Sequence, residues 1–196
     1  MKMLVYLLAF LAGTAYADLG ETIKFCSGCH GENGTAVSPR IPNLAGQYTE
    51  YLFYELKLYK ANLRESQAMS AVMDTVPSDQ LLPLAKFYSE QVPIAKLPDT
   101  TPEMIRKGRA LYFNDINALG LACADCHGTN GEGTPATNTI RAFPRVAGQQ
   151  LDYLFSALLQ YNQGKKNTLL GMRSAMRGLS DSDFAALAAY MSAMSP

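Results

Sequence analysis

The sequence contains no tryptophan, only two histidines and only four cysteines in 196 residues. It carries no excess charge of either sign: 17 Lys and Arg stand against 17 Asp and Glu. A chain so balanced presents no basic surface to a phosphate backbone, so no nucleic-acid partner is expected. Long apolar runs are also scarce. One begins near Met3 and ends near Ala12, after Met1-Lys2 and before Ala15-Tyr16-Ala17. That is the layout of a secretory signal with an A-x-A cleavage site. The run stops at Asp18, short of the roughly 20 apolar residues that a spanning helix needs. The expectation is a cleaved signal peptide over 1–17 and an exported chain from Asp18, which meets membranes only through partners.

What is present is concentrated. All four cysteines and both histidines fall into two frames, Cys26-Ser27-Gly28-Cys29-His30 and Cys123-Ala124-Asp125-Cys126-His127. The frames belong to a longer repeat. At an offset of 97, C-S-G-C-H-G-E-N-G (26–34) faces C-A-D-C-H-G-T-N-G (123–131). At 102, I-P-N-L-A-G-Q (41–47) faces F-P-R-V-A-G-Q (143–149), and Tyr51, Leu52, Phe53, Leu56 and Tyr59 face Tyr153, Leu154, Phe155, Leu158 and Tyr161. At 103, Met69 and Met73 face Met172 and Met176. Three blocks in one order mark a tandem duplication, each half one folded unit. Pro93, Pro98 and Pro102 interrupt any helix at the seam, which places the units at 18–92 and 103–196 with a linker over 93–102.

The fold class is all-α. Apolar residues at 3–4 spacing predict helices over 48–61 and 150–163, and a second pair is expected near 78–90 and 180–194, the latter capped by Ser180. A helix over 103–113 is expected to lead into the second Cys frame. The Gly-, Asn- and Pro-rich stretches 31–46 and 128–148 read as loops, and no segment alternates like a strand. Pro83 inside the third helix predicts a shift or a kink. Units of 75 to 94 residues with this much loop bury too little apolar surface to be comfortable without a large central group.

C-x-x-C-H is the attachment signature of c-type haem. Two thiols three positions apart each add across one vinyl group, and the next residue, His, reaches the iron. Cys26, Cys29 and His30 thus serve one haem, and Cys123, Cys126 and His127 a second. Rival readings explain less. Two disulfides leave the histidines unexplained, a thioredoxin-type motif requires a βαβ setting that is absent, and a zinc site needs four ligands where each half offers three. With one His per half, the sixth ligand of each iron falls to methionine, as in cytochromes c. Met69 or Met73 fills it in the first half, Met172 or Met176 in the second, and the other member of each pair packs the core. A ligating His donates its second N–H to a carbonyl, for which Pro42 and Pro144 are candidates. Arg40, Arg141 and Arg145 in the same loops are candidates for haem propionates.

On these motifs the chain resembles cytochrome c4, the exported family of two tandem class I cytochrome c domains, each wrapped around one covalently bound haem. The resemblance covers essentially the whole chain after residue 17. It implies an axial Met seven residues before the Leu of an L-S-D-x-D-like helix start, which is Met172 before Leu179 and Met69 before Val76. It also implies domains that face each other across their propionate edges, a periplasmic location, and electron transfer between respiratory-chain partners such as a quinol-oxidising complex and a terminal oxidase. The expected function is that of a dihaem electron carrier and not an enzyme, because two six-coordinate irons leave no open position. The alternative is a dihaem subunit or enzyme of a thiosulfate or sulfide dehydrogenase. Residues 18–96 carry 7 basic against 9 acidic groups and 97–196 carry 9 against 8, so the halves differ in sign.

Overall fold

A computed structural model describes residues 18–94, 96–114, 120–138, 141–166 and 171–195. The expected signal over 1–17 lies outside them. The first half contains α1 (Leu19–His30), α2 (Thr49–Lys60), α3 (Gln67–Thr75) and α4 (Leu81–Ser89). The second contains α5 (Pro102–Phe113), α6 (Cys123–His127), α7 (Leu151–Asn162), α8 (Met172–Ala175) and α9 (Asp181–Ala193). The only extended pairing among the described residues is an isolated bridge between Thr134 and Phe143. No described helix is long and apolar enough to cross a membrane.

Local chemistry sets the helix starts. Asp18, Ser66 and Thr101 each accept a backbone N–H of the first turn, and Pro102 follows its cap where no N–H is needed. Ser180 and Asp183 cap α9 reciprocally, with Ser180 N donating to Asp183 Oδ2 at 2.9 Å. The hydrogen bonds from Lys107 and Ser180 hold the Asp183 carboxyl down at about 2. Pro83 does not kink α4. A 3₁₀ turn over Ser78–Gln80 precedes the helix, so Pro83 falls in its first turn, where a missing N–H costs nothing.

One expectation fails. The helix over 103–113 does not run into the second Cys frame: α5 ends at Phe113, Asn114 is extended, and α6 begins only at Cys123. The first half does what was expected of the second, since α1 continues unbroken into His30. Ala122 starts α6 afresh, its N–H held by Asp125 Oδ2 at 2.8 Å.

The second half has the larger core, with Tyr112, Leu154, Leu158, Met176, Phe184 and Leu187 buried together. In the first half, Met73, Val76, Leu81 and Leu84 form one cluster, and Leu52, Ala85 and Tyr88 another. Helix α5 crosses α9 with almost no gap, because Gly108 lets the backbones meet. A Cβ there stands 1.9 Å from the carbonyl oxygen of Ala186. Ala ordinarily stabilises a helix interior over Gly by up to about 1 kcal/mol. Here Gly108→Ala is expected to reverse the sign and cost about 1–3 kcal/mol through overpacking. Urea denaturation checks this, and a stabilised variant refutes the close crossing.

Candidate metal and cofactor site

Each Cys frame forms a last turn of helix and ends at a glycine with positive φ, Gly31 at 77° and Gly128 at 83°. Other residues rarely adopt that conformation, and it turns the chain back across its own helix. The returning loops differ in length but are clamped alike. The Gly34 carbonyl accepts from Leu44 N at 2.7 Å and Ala45 N at 3.2 Å, and the Gly131 carbonyl accepts from Val146 N at 2.8 Å and Ala147 N at 3.0 Å. The clamp delivers a proline carbonyl to each histidine. His30 Nδ1 donates to Pro42 O at 3.0 Å, and His127 Nδ1 to Pro144 O at 2.9 Å. These are the carbonyls expected from the sequence.

Each bond fixes both tautomer and ring orientation. With Nδ1 protonated, Nε2 retains its lone pair. Burial lowers both imidazole pKa values, against the raising effect of the proline carbonyl, so the rings are neutral at neutral pH. All four cysteines are free thiols, which sets aside the disulfide reading. Burial raises the Cys26 thiol and pushes Cys123 up to about 11.

Both frames face one cavity of about 770 Å³, lined by Cys26, Cys29 and His30 from one half and Cys123, Cys126 and His127 from the other. All four candidate methionines also line it. Met73 and Met176 are 1% and 2% exposed and belong to the protein core, whereas Met69 and Met172 are only partly covered by protein. Among the described residues no three His, Cys, Asp or Glu side chains converge on a common ion position, so cysteines and histidine do not close a zinc site.

The cavity continues across the contact between the halves, where two glutamines make a reciprocal pair. Gln47 Nε2 donates to Arg145 O at 3.0 Å while Gln47 Oε1 accepts from Arg145 N at 2.9 Å. Gln149 Nε2 donates to Asn43 O at 2.9 Å while Gln149 Oε1 accepts from Asn43 N at 2.7 Å. Gln47 and Gln149 are repeat equivalents, as are Asn43 and Arg145, so the contact has pseudo-twofold symmetry. Both glutamines are in the repeated A-G-Q block, but nothing in the sequence marks them as contact residues.

Sequence reasoning also missed a buried charge cluster in this contact. Arg64 pairs with Glu55, donates to Tyr153 OH at 3.1 Å and stacks 4.4 Å from the Tyr59 ring. Lys166 Nζ lies 3.9 Å from Glu55 Oε1 and 4.7 Å from the Tyr161 ring. All three charged residues line the cavity and are at most 6% exposed. The only advance signal was the repeat register, which pairs Arg64 with Lys166. Of the loop arginines, Arg145 Nε donates to Gly46 O at 3.2 Å and Arg141 stacks 4.2 Å from the Tyr54 ring, and both line the cavity. Arg40 lines the cavity.

The residues fit two haem groups. The cavity is walled by leucine, methionine and tyrosine, each histidine presents one free ring nitrogen, and the thiols stand beside it. Arg64 Nε is buried without a hydrogen-bond partner. A buried guanidinium left in that state calls for an anionic oxygen, which a propionate supplies.

The family model for cytochrome c matches residues 17–91 and again 105–195. Cytochrome c4 of Azotobacter vinelandii is 32% identical over 94% of this chain and 90% of its own length. A crystal structure of reduced recombinant cytochrome c4 from Pseudomonas stutzeri superposes with a TM-score of 0.79 at 28% identity, covering 93% of this chain and 100% of the other. A thiosulfate dehydrogenase electron acceptor from Thiomonas intermedia is 27% identical over 82% of this chain and 73% of its own length.

The glutamine pair generates a prediction of its own. Gln47→Ala and Gln149→Ala each remove two hydrogen bonds across the contact and strand a backbone N–H and C=O. Each is expected to weaken association of the halves by about 1–3 kcal/mol. Calorimetry should resolve this as one unfolding transition separating into two. A single unshifted transition in both variants refutes the role.

Proposed function

The chain belongs to the cytochrome c family, in the two-haem cytochrome c4 line of electron carriers, and on that premise we propose which residues hold the haems and where the electrons pass. Cys26 and Cys29 would carry one haem through thioethers, with His30 and Met69 to hold its iron. Cys123 and Cys126 would carry the other, with His127 and Met172 to hold its iron. The units they serve are 18–92 and 103–196, joined by 93–102. The observation that carries this assignment is the pair of histidines fixed by Pro42 and Pro144 at one wall of a cavity that the methionine segments also line.

Each haem iron, when bound, supplies a one-electron couple. The protein's part is to orient and to insulate. The proline carbonyls hold each imidazole in one orientation, so the ligand does not rotate when the charge on the metal changes. Met73 and Met176 pack beneath the axial segments and exclude water. All four methionines line the cavity, and Met69 and Met172 are assigned as ligands because the protein covers them only in part, whereas Met73 and Met176 are buried in its core. A haem iron held by His and Met would offer no position to a substrate.

Transfer to another protein needs an edge open to solvent. Cys29 is exposed, Phe25 beside it is 61% exposed, and Leu121 before the second frame is 43% exposed. Both apolar residues also line the cavity. Small apolar rims of this kind suit brief docking. We place the protein in the periplasm, after export directed by residues 1–17, between a quinol-oxidising complex and a terminal oxidase. A second reading is favoured by the Thiomonas relative: the chain accepts electrons from a sulfur-compound dehydrogenase.

Spectroscopy tests the ligand set. The reduced protein is expected to hold two low-spin haems and to ignore carbon monoxide. Met69→Ala and Met172→Ala are each expected to abolish one of two Met-ligation signals. Unchanged signals in either variant transfer that role to Met73 or Met176, and a haem that binds carbon monoxide in the unaltered protein refutes the carrier reading.

A further inference from the structure

Helix α3 carries Met69 and is short: nine residues, packed on α2 and ended at Val76 before Pro77. A helix of this length does not hold together by its own backbone bonds, so what ties down its two ends decides where Met69 stands. At the N-terminal end, Met69 N donates to Ser66 Oγ at 3.3 Å. At the C-terminal end, the last turn has no basic residue of its own. Its final carbonyls have no partners within the helix and need donors from elsewhere.

Those donors come from the neighbouring helix. Lys60 is the last residue of α2, and its half-buried side chain donates from Nζ to Met73 O at 2.8 Å and to Val76 O at 2.6 Å. A cation in this place satisfies two free carbonyls and meets the negative end of the helix dipole. It also fastens the end of one helix to the end of the next. Met73, whose carbonyl is held, is one turn beyond Met69 and fixed in the core at 1% exposure. Met69 is thereby kept at the cavity wall. Under the offset of 102, Lys60 corresponds to Asn162, which is exposed. The second half has no lysine at this place and is an internal reference for the first.

We infer that Lys60 is a positioning residue for Met69: by tying Met73 O and Val76 O to the end of α2, it keeps the axial methionine of the first half in place against competing ligands. Lys60 acts through the α3 backbone and not on the iron. The inference rests on the Met69 assignment proposed above.

The test is a titration of the oxidised, haem-loaded protein with imidazole, followed through the two Met-ligation signals. Met69→Ala and Met172→Ala assign each signal to its half. Imidazole takes the place of a methionine that lets go, so its affinity for each half measures how firmly that methionine is held. Lys60→Met keeps the aliphatic stem and removes the donors. The loss of two bonds from a charged donor is expected to raise the imidazole affinity of the first half by about tenfold and to leave that of the second unchanged. A first-half affinity equal to that of the unaltered protein overturns this inference alone. So does an equal rise in both halves, which marks a general loss of stability. If Lys60→Met does not take up haem, the ammonium protons of Lys60 in the unaltered protein decide the matter by nuclear magnetic resonance. Held between two carbonyls, they are expected to exchange with water about tenfold more slowly than those of the exposed Lys24, and equal rates overturn the clamp. A first-half signal that survives Met69→Ala overturns the ligand assignment and this inference with it.

Discussion

Each half of this chain is folded around a space that its own side chains do not fill, and that constraint organises everything else. A small unit that leaves its centre open has few apolar contacts to spare. The elements around the cavity are accordingly held by directed bonds more than by packing. The Gly34 and Gly131 carbonyls each gather two N–H groups from a returning loop, and the same loops present the prolines that orient His30 and His127. Cofactor binding and loop folding are one problem with one solution, since the loop that closes the wall is also the loop that aims the ligand.

The two halves solve it unequally. The second half crosses α5 over α9 at Gly108 and builds a continuous core from Tyr112 to Met191. The first has smaller clusters and uses a buried hydrogen bond, Thr22 Oγ1 to Gln80 Oε1 at 2.6 Å, to tie α1 to the turn before α4. It gains further support from its neighbour. The reciprocal glutamines pair backbone groups of one half with side-chain amides of the other, and Tyr48 OH donates to Glu132 O at 3.1 Å. The contact is polar, as suits a surface that borders a cavity for charged groups. Among its departures from symmetry, Glu55 stands where the second half has Ala157.

Much of this was legible in advance, for identifiable reasons. The Cys frames specify covalent chemistry with local geometry, and local geometry is written in spacing. The helices over Thr49–Lys60 and Leu151–Asn162 carry a strong 3.6-residue period and fall within a residue of their expected ends. Pro83 was read as a disturbance and turned out to sit in a first turn, because the preceding 3₁₀ turn moved the helix start. The break between α5 and α6 was not legible. The helical pattern of 103–113 ends where it should, but periodicity says nothing of how the chain travels from Phe113 to Cys123. What Arg145 contacts was not legible either: its Nε donates to the Gly46 carbonyl of the other half, and a loop arginine looks the same in sequence whatever it faces.

The sequence by itself determined the duplication, the two attachment frames, the helical class and the proline carbonyls, because each depends on residues close in the chain or repeated at a constant offset. Only the tertiary structure decided that Gln47 reaches Arg145 and Gln149 reaches Asn43, that Met73 and Met176 belong to the core, and that Glu55 lies between Arg64 and Lys166. Those facts depend on how two folded units meet. A contact between residues about 100 positions apart leaves no period or spacing in the chain that forms it.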